Sequence, residues 1–168
     1  MSHCITALIV REQPFDDCTA QEWDVVRSPL GAGLCLVHID HYYTAYWQKR
    51  RGEVAKLDVP PDFSGLFPRE GVVLSLAAAL TGAVDRSEAP TFALVMTDYF
   101  GGVGDQWASA YVNGRRIPDV RHVNDALRAL GVQAIGEADE FDTVGLGKHR
   151  SSPDYLERYV ALCDELGV

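Results

Sequence analysis

The pattern of apolar and polar positions in the first quarter of the chain predicts two strands separated by a long connection. Residues 5–10 (ITALIV) are rich in β-branched side chains and predict an opening strand. Residues 34–39 are mostly apolar on both faces, which is typical of a central strand. The stretch 11–33 between them carries prolines, glycines and acidic residues, and we therefore predict a connection there.

The second half of the chain contains two further strand patterns followed by a turn signal. Residues 91–97 and 107–112 are mostly apolar and predict strands. Asn113-Gly114 is a favoured pair for a two-residue hairpin turn, because both positions tolerate a positive φ. This turn is predicted to lead into a short strand at 115–117.

Three segments predict helices. Residues 71–82 are alanine-rich and apolar on nearly all sides, which indicates a buried helix. Asp119 can cap a second helix that ends at Gly131. Ser152-Pro153-Asp154 supplies a cap, a first-turn proline and an acidic residue, and so predicts the start of the last helix.

Residues 40–59 fit two structures. The aromatic side chains recur at helical spacing after Asp40, which could cap a helix. The same residues could form a strand that turns at Arg51-Gly52 and returns over 53–59. We favour this hairpin, because Thr, Tyr and Trp favour strands and glycine favours turns. The aromatic cluster in question comprises Tyr42, Tyr43, Tyr46 and Trp47.

These elements predict one α+β domain over residues 1–168. Its largely antiparallel sheet would be covered by about three helices. A length of 168 residues with 47% apolar residues is sufficient for one self-supporting core. No internal repeat or domain linker is visible.

Charge and cysteine content narrow the function classes. Fifteen basic against 24 acidic residues give a net charge of −9, which disfavours a nucleic-acid partner. The N-terminus lacks the features of a signal peptide, and the apolar run at 72–80 is too short to span a membrane. The four cysteines form no zinc pattern, and Cys35 and Cys163 are expected to be buried thiols. We therefore expect a cytoplasmic protein without a cofactor.

A glycine-rich segment at 97–107 (TDYFGGVGDQW) is the most informative part of the chain. It lacks the third glycine of a dinucleotide fingerprint and the Gly-Lys-Ser/Thr of a phosphate loop. One interpretation is a connection whose glycines serve turns and bulges. The other is a recognition loop that presents polar and aromatic side chains to a partner. The candidate partner-binding residues are Asp98, Tyr99, Asp105, Gln106 and Trp107.

An acidic segment at 137–147 is the second candidate for a binding surface. Four acids in six residues commonly form a solvated face, but such a patch can also dock a basic partner. The segment lacks the calcium-loop pattern, and His38-Ile39-Asp40-His41 would not converge on a strand, so no metal site is predicted. The candidate residues here are Asp139, Glu140, Phe141 and Asp142.

The stretches TDYFGGVGDQWA (97–108), NDALRALGV (124–132) and DEFDTVGLG (139–147) resemble a group of small bacterial proteins. In size and acidity that group is similar to the immunity proteins that neutralise polymorphic or contact-dependent toxins. The resemblance covers about the last 75 residues and brings no catalytic residues with it. It implies a non-enzymatic inhibitor that binds a cognate toxin or another basic protein.

Two other functions are compatible with the sequence. A small hydrolase-like enzyme could use carboxylates and an imidazole for acid–base chemistry if they surround one cleft. Its candidate residues are Asp98, Asp105, Asp142 and His149. A self-associating protein, such as a homodimer, could instead use the aromatic cluster as its interface, although such residues more often pack in a core.

Overall fold

The computed structural model describes residues 2–13, 17–82 and 89–168. Six strands form one sheet in the order β2-β3-β1-β4-β5-β6, and every neighbouring pair is antiparallel. The predicted α+β class with a largely antiparallel sheet is therefore confirmed. The strands are β1 (His3–Arg11), β2 (Arg27–Pro29), β3 (Leu34–His38), β4 (Phe92–Phe100), β5 (Val103–Val112) and β6 (Arg115–Arg116).

The described residues contain six α-helices, against about three predicted. Four of these helices have seven or more residues, and the other two are single short turns. The helices are α1 (Asp17–Glu22), α2 (His41–Arg50), α3 (Val72–Leu80), α4 (Val123–Ala129), α5 (Glu140–Val144) and α6 (Arg158–Leu166).

The sheet carries a hydrophobic core on each face, because β1, β3 and β4 are apolar on both sides. Leu8, Val37 and Leu94 point to the face covered by α2, α3 and α6. Ile9 and Val95 belong to the second core, which α4 and the segment around α5 cover. Continuous apolar runs such as 5–10 are thus explained by burial on two sides.

The hairpin favoured for residues 40–59 is wrong, since the first half of this segment is α2. Asp40 caps the helix, and its Oδ1 accepts a hydrogen bond of 2.7 Å from the backbone N–H of Tyr43. Tyr43 is fully buried, and its ring meets the ring of Tyr159 on α6 at 5.0 Å. In a helix, these aromatic residues pack against α6, and the gain from this packing outweighs their intrinsic preference for strands.

Two further predictions need adjustment. The connection at 11–33 contains α1 and the edge strand β2, while its residues 14–16 lie outside the described part of the chain. The helix expected after Asp119 begins only at Val123, because Asp119 has a φ of 67° and His122 is the N-cap. The expectations of a helix over 71–82 and of a turn at Asn113-Gly114 are confirmed, with φ values of 51° and 73° at the turn.

Candidate functional site

The glycine-rich segment is a β-hairpin. β4 continues through Phe100 and β5 begins at Val103, so a turn of only two residues joins the strands. Gly101 and Gly102 have φ values of 60° and 81°, which side-chain-bearing residues rarely adopt. The interpretation of the glycines as turn residues is confirmed. The segment that was expected to be a loop consists of two paired strands joined by this turn.

The hairpin presents two different faces, since side chains alternate along a strand. Thr97 and Tyr99 share a face with Gln106 of β5, and all three line a pocket. Four residues at the end of the hairpin point the other way, and we call them the hairpin face: Asp98, Phe100, Val103 and Asp105. The residues that the sequence grouped as one loop are therefore divided between two surfaces.

The hairpin face combines exposed apolar and acidic side chains. Phe100 and Val103 are directly paired and are 82% and 80% exposed. Asp98 lies directly opposite Asp105 in the register, and both are exposed. Within the described ranges, neither carboxylate forms an ion pair with a basic side chain. Trp107 lies nearer the body of the protein, half-buried against the core under α2, α3 and α6.

On the other side of the hairpin, a pocket of about 430 Å³ lies between the sheet and the segment around α5. Its floor includes Thr97, Tyr99 and Gln106 from the hairpin, and His3 closes one side. The remaining wall comes from α4, α5 and the following turns, and includes Val123, Asn124, Asp139, Phe141, Asp142, Gly147 and Arg150. The pocket thus joins the two segments that the sequence marked as candidate binding surfaces.

The amide side chains of the pocket are held by internal hydrogen bonds. Gln106 donates to the Tyr99 hydroxyl at 2.9 Å and accepts from the Val123 backbone N–H at 2.8 Å. Asn124 donates to the Asp139 carboxylate at 3.0 Å and accepts from the Phe141 backbone N–H at 2.9 Å. These bonds orient the walls of the pocket and couple the hairpin to α4 and α5.

The acidic segment is a short helix with unequal carboxylates. Asp139 is the N-cap of α5; the Asp142 backbone N–H and the Asn124 amide hold the pKa of its carboxyl below the usual value. Glu140 is buried and paired with Arg128 at 3.3 Å, so it is not part of an accessible acidic patch. Asp142 remains exposed at the pocket.

Three histidines lie near one another at the end of the sheet. His3 hydrogen-bonds the Thr97 hydroxyl at 2.8 Å and the Leu146 carbonyl at 3.3 Å. The ring of His38 lies 6.2 Å from the ring of His149. Burial, with the nearby charges of His149 and His3, lowers the pKa of His38 to about 4. In the described residues, no group of three or more His, Cys, Asp and Glu side chains is placed to hold a metal ion.

The expected buried cysteines are confirmed, and the aromatic cluster packs within the chain. Cys35 and Cys163 are each 2% exposed, and burial raises the pKa of the Cys35 thiol to about 11. Trp47 donates a hydrogen bond of 3.2 Å to the Tyr159 hydroxyl, and Tyr46 contacts the same ring. Of the four cluster residues, only Tyr42 is classed as exposed, at 38%.

The residues proposed for a hydrolase-like cleft are dispersed. Only Asp142 lines the pocket, whereas Asp98 and Asp105 belong to the hairpin face and His149 packs near His38. Sequence reasoning missed His3, Asn124 and Arg150 as pocket residues. Alternation along a strand extended beyond Thr97 could have assigned Thr97 and Tyr99 to one face; no local signal marked the others.

Comparison of the chain with protein-family models, with curated proteins and with solved structures gives no match. Within the part of the chain that the structure describes, no helix combines the length and the apolar character needed to cross a membrane. The hairpin face and the pocket are therefore the two features from which a function can be inferred.

Proposed function

We propose that this chain is a non-enzymatic binding protein that uses the hairpin face to bind a basic protein partner. The observation that carries the proposal is the direct pairing of Asp98 with Asp105 beside two exposed apolar side chains.

The paired carboxylates favour a cationic partner. Like charges directly opposite each other on adjacent strands destabilise a sheet, typically by some tenths of a kcal/mol. No basic side chain among the described residues offsets the repulsion between Asp98 and Asp105 by an ion pair. A lysine or arginine from another protein, placed between the two carboxylates, would remove this repulsion and add charge-assisted hydrogen bonds.

The apolar pair supplies the second element of an interface. Protein interfaces commonly have an apolar centre, rich in aromatic residues, with a polar rim. Phe100 and Val103 at the tip, flanked by Asp98 and Asp105, reproduce this arrangement on a small scale. Phe100 lies on a strand that is paired with β5, so its backbone is ordered before a partner binds and little backbone freedom would be lost.

The resemblance to immunity proteins specifies the kind of partner in this proposal. A toxin that acts on a polyanionic or otherwise acidic substrate needs a basic active site, and an acidic protein with a net charge of −9 is suited to covering it. The chain would then inhibit by occupying that site. This places the cognate toxin, or another basic protein, as the partner to be sought in the native host.

The experiment compares two variants with one defined partner. A partner retained by the full chain from native host cells is identified by mass spectrometry, purified, and titrated calorimetrically with each variant. We expect the double change Asp98→Asn and Asp105→Asn to weaken the affinity about tenfold or more, because close interfacial charge pairs contribute strongly. Asp164→Asn, an exposed change on α6, is the matched control and should leave the affinity unchanged.

A second variant tests the apolar half of the surface. Phe100→Ser should also weaken binding about tenfold, since aromatic residues at an interface centre are frequent hot spots. Equal affinity of the wild type, the double variant and Phe100→Ser would overturn the proposal. Turnover of a small molecule by the purified chain, with no effect of these variants, would favour the enzymatic alternative.

A further inference from the structure

We propose that the pocket beneath the hairpin accepts the guanidinium group of an arginine side chain. This inference rests on the proposed function, because it assigns the arginine to the basic partner. It concerns a different surface, however: the pocket face of the hairpin, which carries Tyr99 and Gln106. The two surfaces can therefore be tested separately.

The pocket offers a ligand one charged acceptor, the carboxylate of Asp142. Each side-chain amide, of Gln106 and of Asn124, already donates one hydrogen bond and accepts another within the pocket wall. By contrast, the Asp142 carboxylate forms no hydrogen bond or ion pair with another described residue. A ligand that enters should therefore offer donors to a carboxylate, preferably charged ones.

Asp139 adds a second carboxylate, which hydrogen bonds within the pocket wall hold in place. Its Oδ1 accepts from the Asp142 backbone N–H at 2.9 Å and its Oδ2 from Asn124 at 3.0 Å. Each of these oxygens has acceptor capacity beyond its single bond. These contacts hold the pKa of the Asp139 carboxyl below its usual value, so they favour its charged form.

Aromatic rings favour arginine over lysine as the occupant. The pocket lining includes Phe141, Tyr99 and His3, and the rings of His3 and Phe141 are 5.3 Å apart. A planar guanidinium can stack on an aromatic face while its edge binds a carboxylate in two places. The ammonium of lysine can also lie over a ring, but it cannot stack as a plane or bind a carboxylate through two parallel N–H groups.

Among the described residues that line the pocket, Arg150 is the one arginine, and it does not make the pocket a site for anions. Its Nε donates to the Gly147 carbonyl at 3.1 Å. Against this guanidinium stand the two carboxylates of Asp139 and Asp142, so the formal charge of these side chains remains negative.

The pocket volume also constrains the occupant. About 430 Å³ lies in the lower part of the range of small-ligand pockets. It would admit one arginine side chain together with part of its own backbone. A short segment of the partner that carries an arginine, inserted beside the hairpin, fits this volume and supplies the charged donor that the carboxylates favour.

The test uses small probes and the ¹⁵N-labelled full chain, without any partner protein. Nα-acetyl-arginine methylamide is titrated while amide resonances are followed by NMR. The equivalent citrulline compound is nearly isosteric and neutral, so it is the matched control for charge. The lysine compound and inorganic phosphate are titrated in the same way, to test the preference for a guanidinium and for a cation. We expect the arginine probe to shift resonances around Tyr99, Gln106, Phe141 and Asp142, with an affinity at least about fivefold above that for citrulline.

Asp142→Asn should abolish most of the preference for arginine over citrulline, and Asp164→Asn should retain it. Phe141→Leu should bring the affinities of the arginine and lysine probes closer together. Equal shifts by arginine and citrulline, stronger binding of phosphate, or shifts that lie outside the pocket would each overturn the inference. Normal binding of the arginine probe by hairpin-face variants that have lost partner binding would show that the two surfaces act separately, so a failure of one proposal can be distinguished from a failure of the other.

Discussion

The most unusual single residue is His38, because its imidazole is buried and one of its ring nitrogens lacks a hydrogen-bond partner among the described residues. It is 7% exposed, and its Nδ1 has no hydrogen-bond partner among the described residues. Burial is the main reason that its pKa falls to about 4, and the charges of His149 and His3 act in the same direction. The folded protein therefore favours neutral His38, while the unfolded chain accepts a proton near pH 6.5.

This difference predicts a stability that depends on pH. The contribution of His38 is fully present above about pH 6.5 and is lost as the pH falls from there toward 4, because only the unfolded state gains the proton. Complete loss of this contribution would lower the free energy of unfolding by roughly 3 kcal/mol. Urea unfolding at several pH values should show His38→Leu losing less stability than the wild type over this interval. Parallel curves for the two proteins would contradict the assignment.

At the scale of elements, the β4–β5 hairpin determines both candidate surfaces. Its register brings Gly104 directly opposite Tyr99. A Cβ atom at Gly104 would lie 1.9 Å from the Asp98 carbonyl oxygen and 2.7 Å from the Tyr99 Cα. Glycine is therefore needed here for close approach of two backbones, and the glycines of the turn itself are needed for their positive φ values.

Replacement of this glycine tests the register. Gly104→Ala should lower the free energy of unfolding by about 1–3 kcal/mol, because the strands must separate to admit the methyl group. Gly65→Ala is the matched control, since nothing lies within 4 Å of its Cβ position and its φ is not positive. Thermal or urea unfolding measures both variants. A wild-type stability for Gly104→Ala would mean that the strands pair in another register.

For the whole molecule, the dominant property is charge. A net charge of −9 generates a field that attracts basic proteins and repels acidic ones before any contact forms. The hairpin face and the pocket lie on opposite sides of one hairpin, so a partner that engages both must wrap around its end. Long-range attraction and local fit would thus act on the same partner.

The field predicts a strong dependence of association on salt. With the purified partner, the association rate constant measured by stopped-flow fluorescence should fall steeply as sodium chloride is raised, because screening shortens the range of the attraction. The dissociation rate constant should change much less. For the Asp98→Asn, Asp105→Asn double variant the slope should be shallower than for the wild type. An association rate constant that is insensitive to salt would contradict the role of long-range electrostatic attraction in binding.

Part of the fold and of the site could be predicted from local patterns. Local sequence was sufficient to predict two strands and one helix, at residues 5–10, 34–39 and 71–82. Long apolar runs favour buried strands and an alanine-rich composition favours a helix, whatever the rest of the chain does. The turn at Asn113-Gly114 has the expected positive φ values for the same reason. Likewise, the carboxylates and aromatic residues that make both surfaces unusual were visible as two short segments of the chain.

Only the tertiary structure decided how those segments meet. The aromatic residues after Asp40 form a helix that packs against α6. Glu140 is buried, and its charge is paired with Arg128 from another helix. Alternation along each strand divides the hairpin residues into two faces, but only the contacts with α4 and the segment around α5 turn one of these faces into a pocket. Composition and local preference act over a few residues, and they determined the elements and the charge. Contacts between residues far apart in the chain decided which side chains share a surface, because no local pattern encodes them.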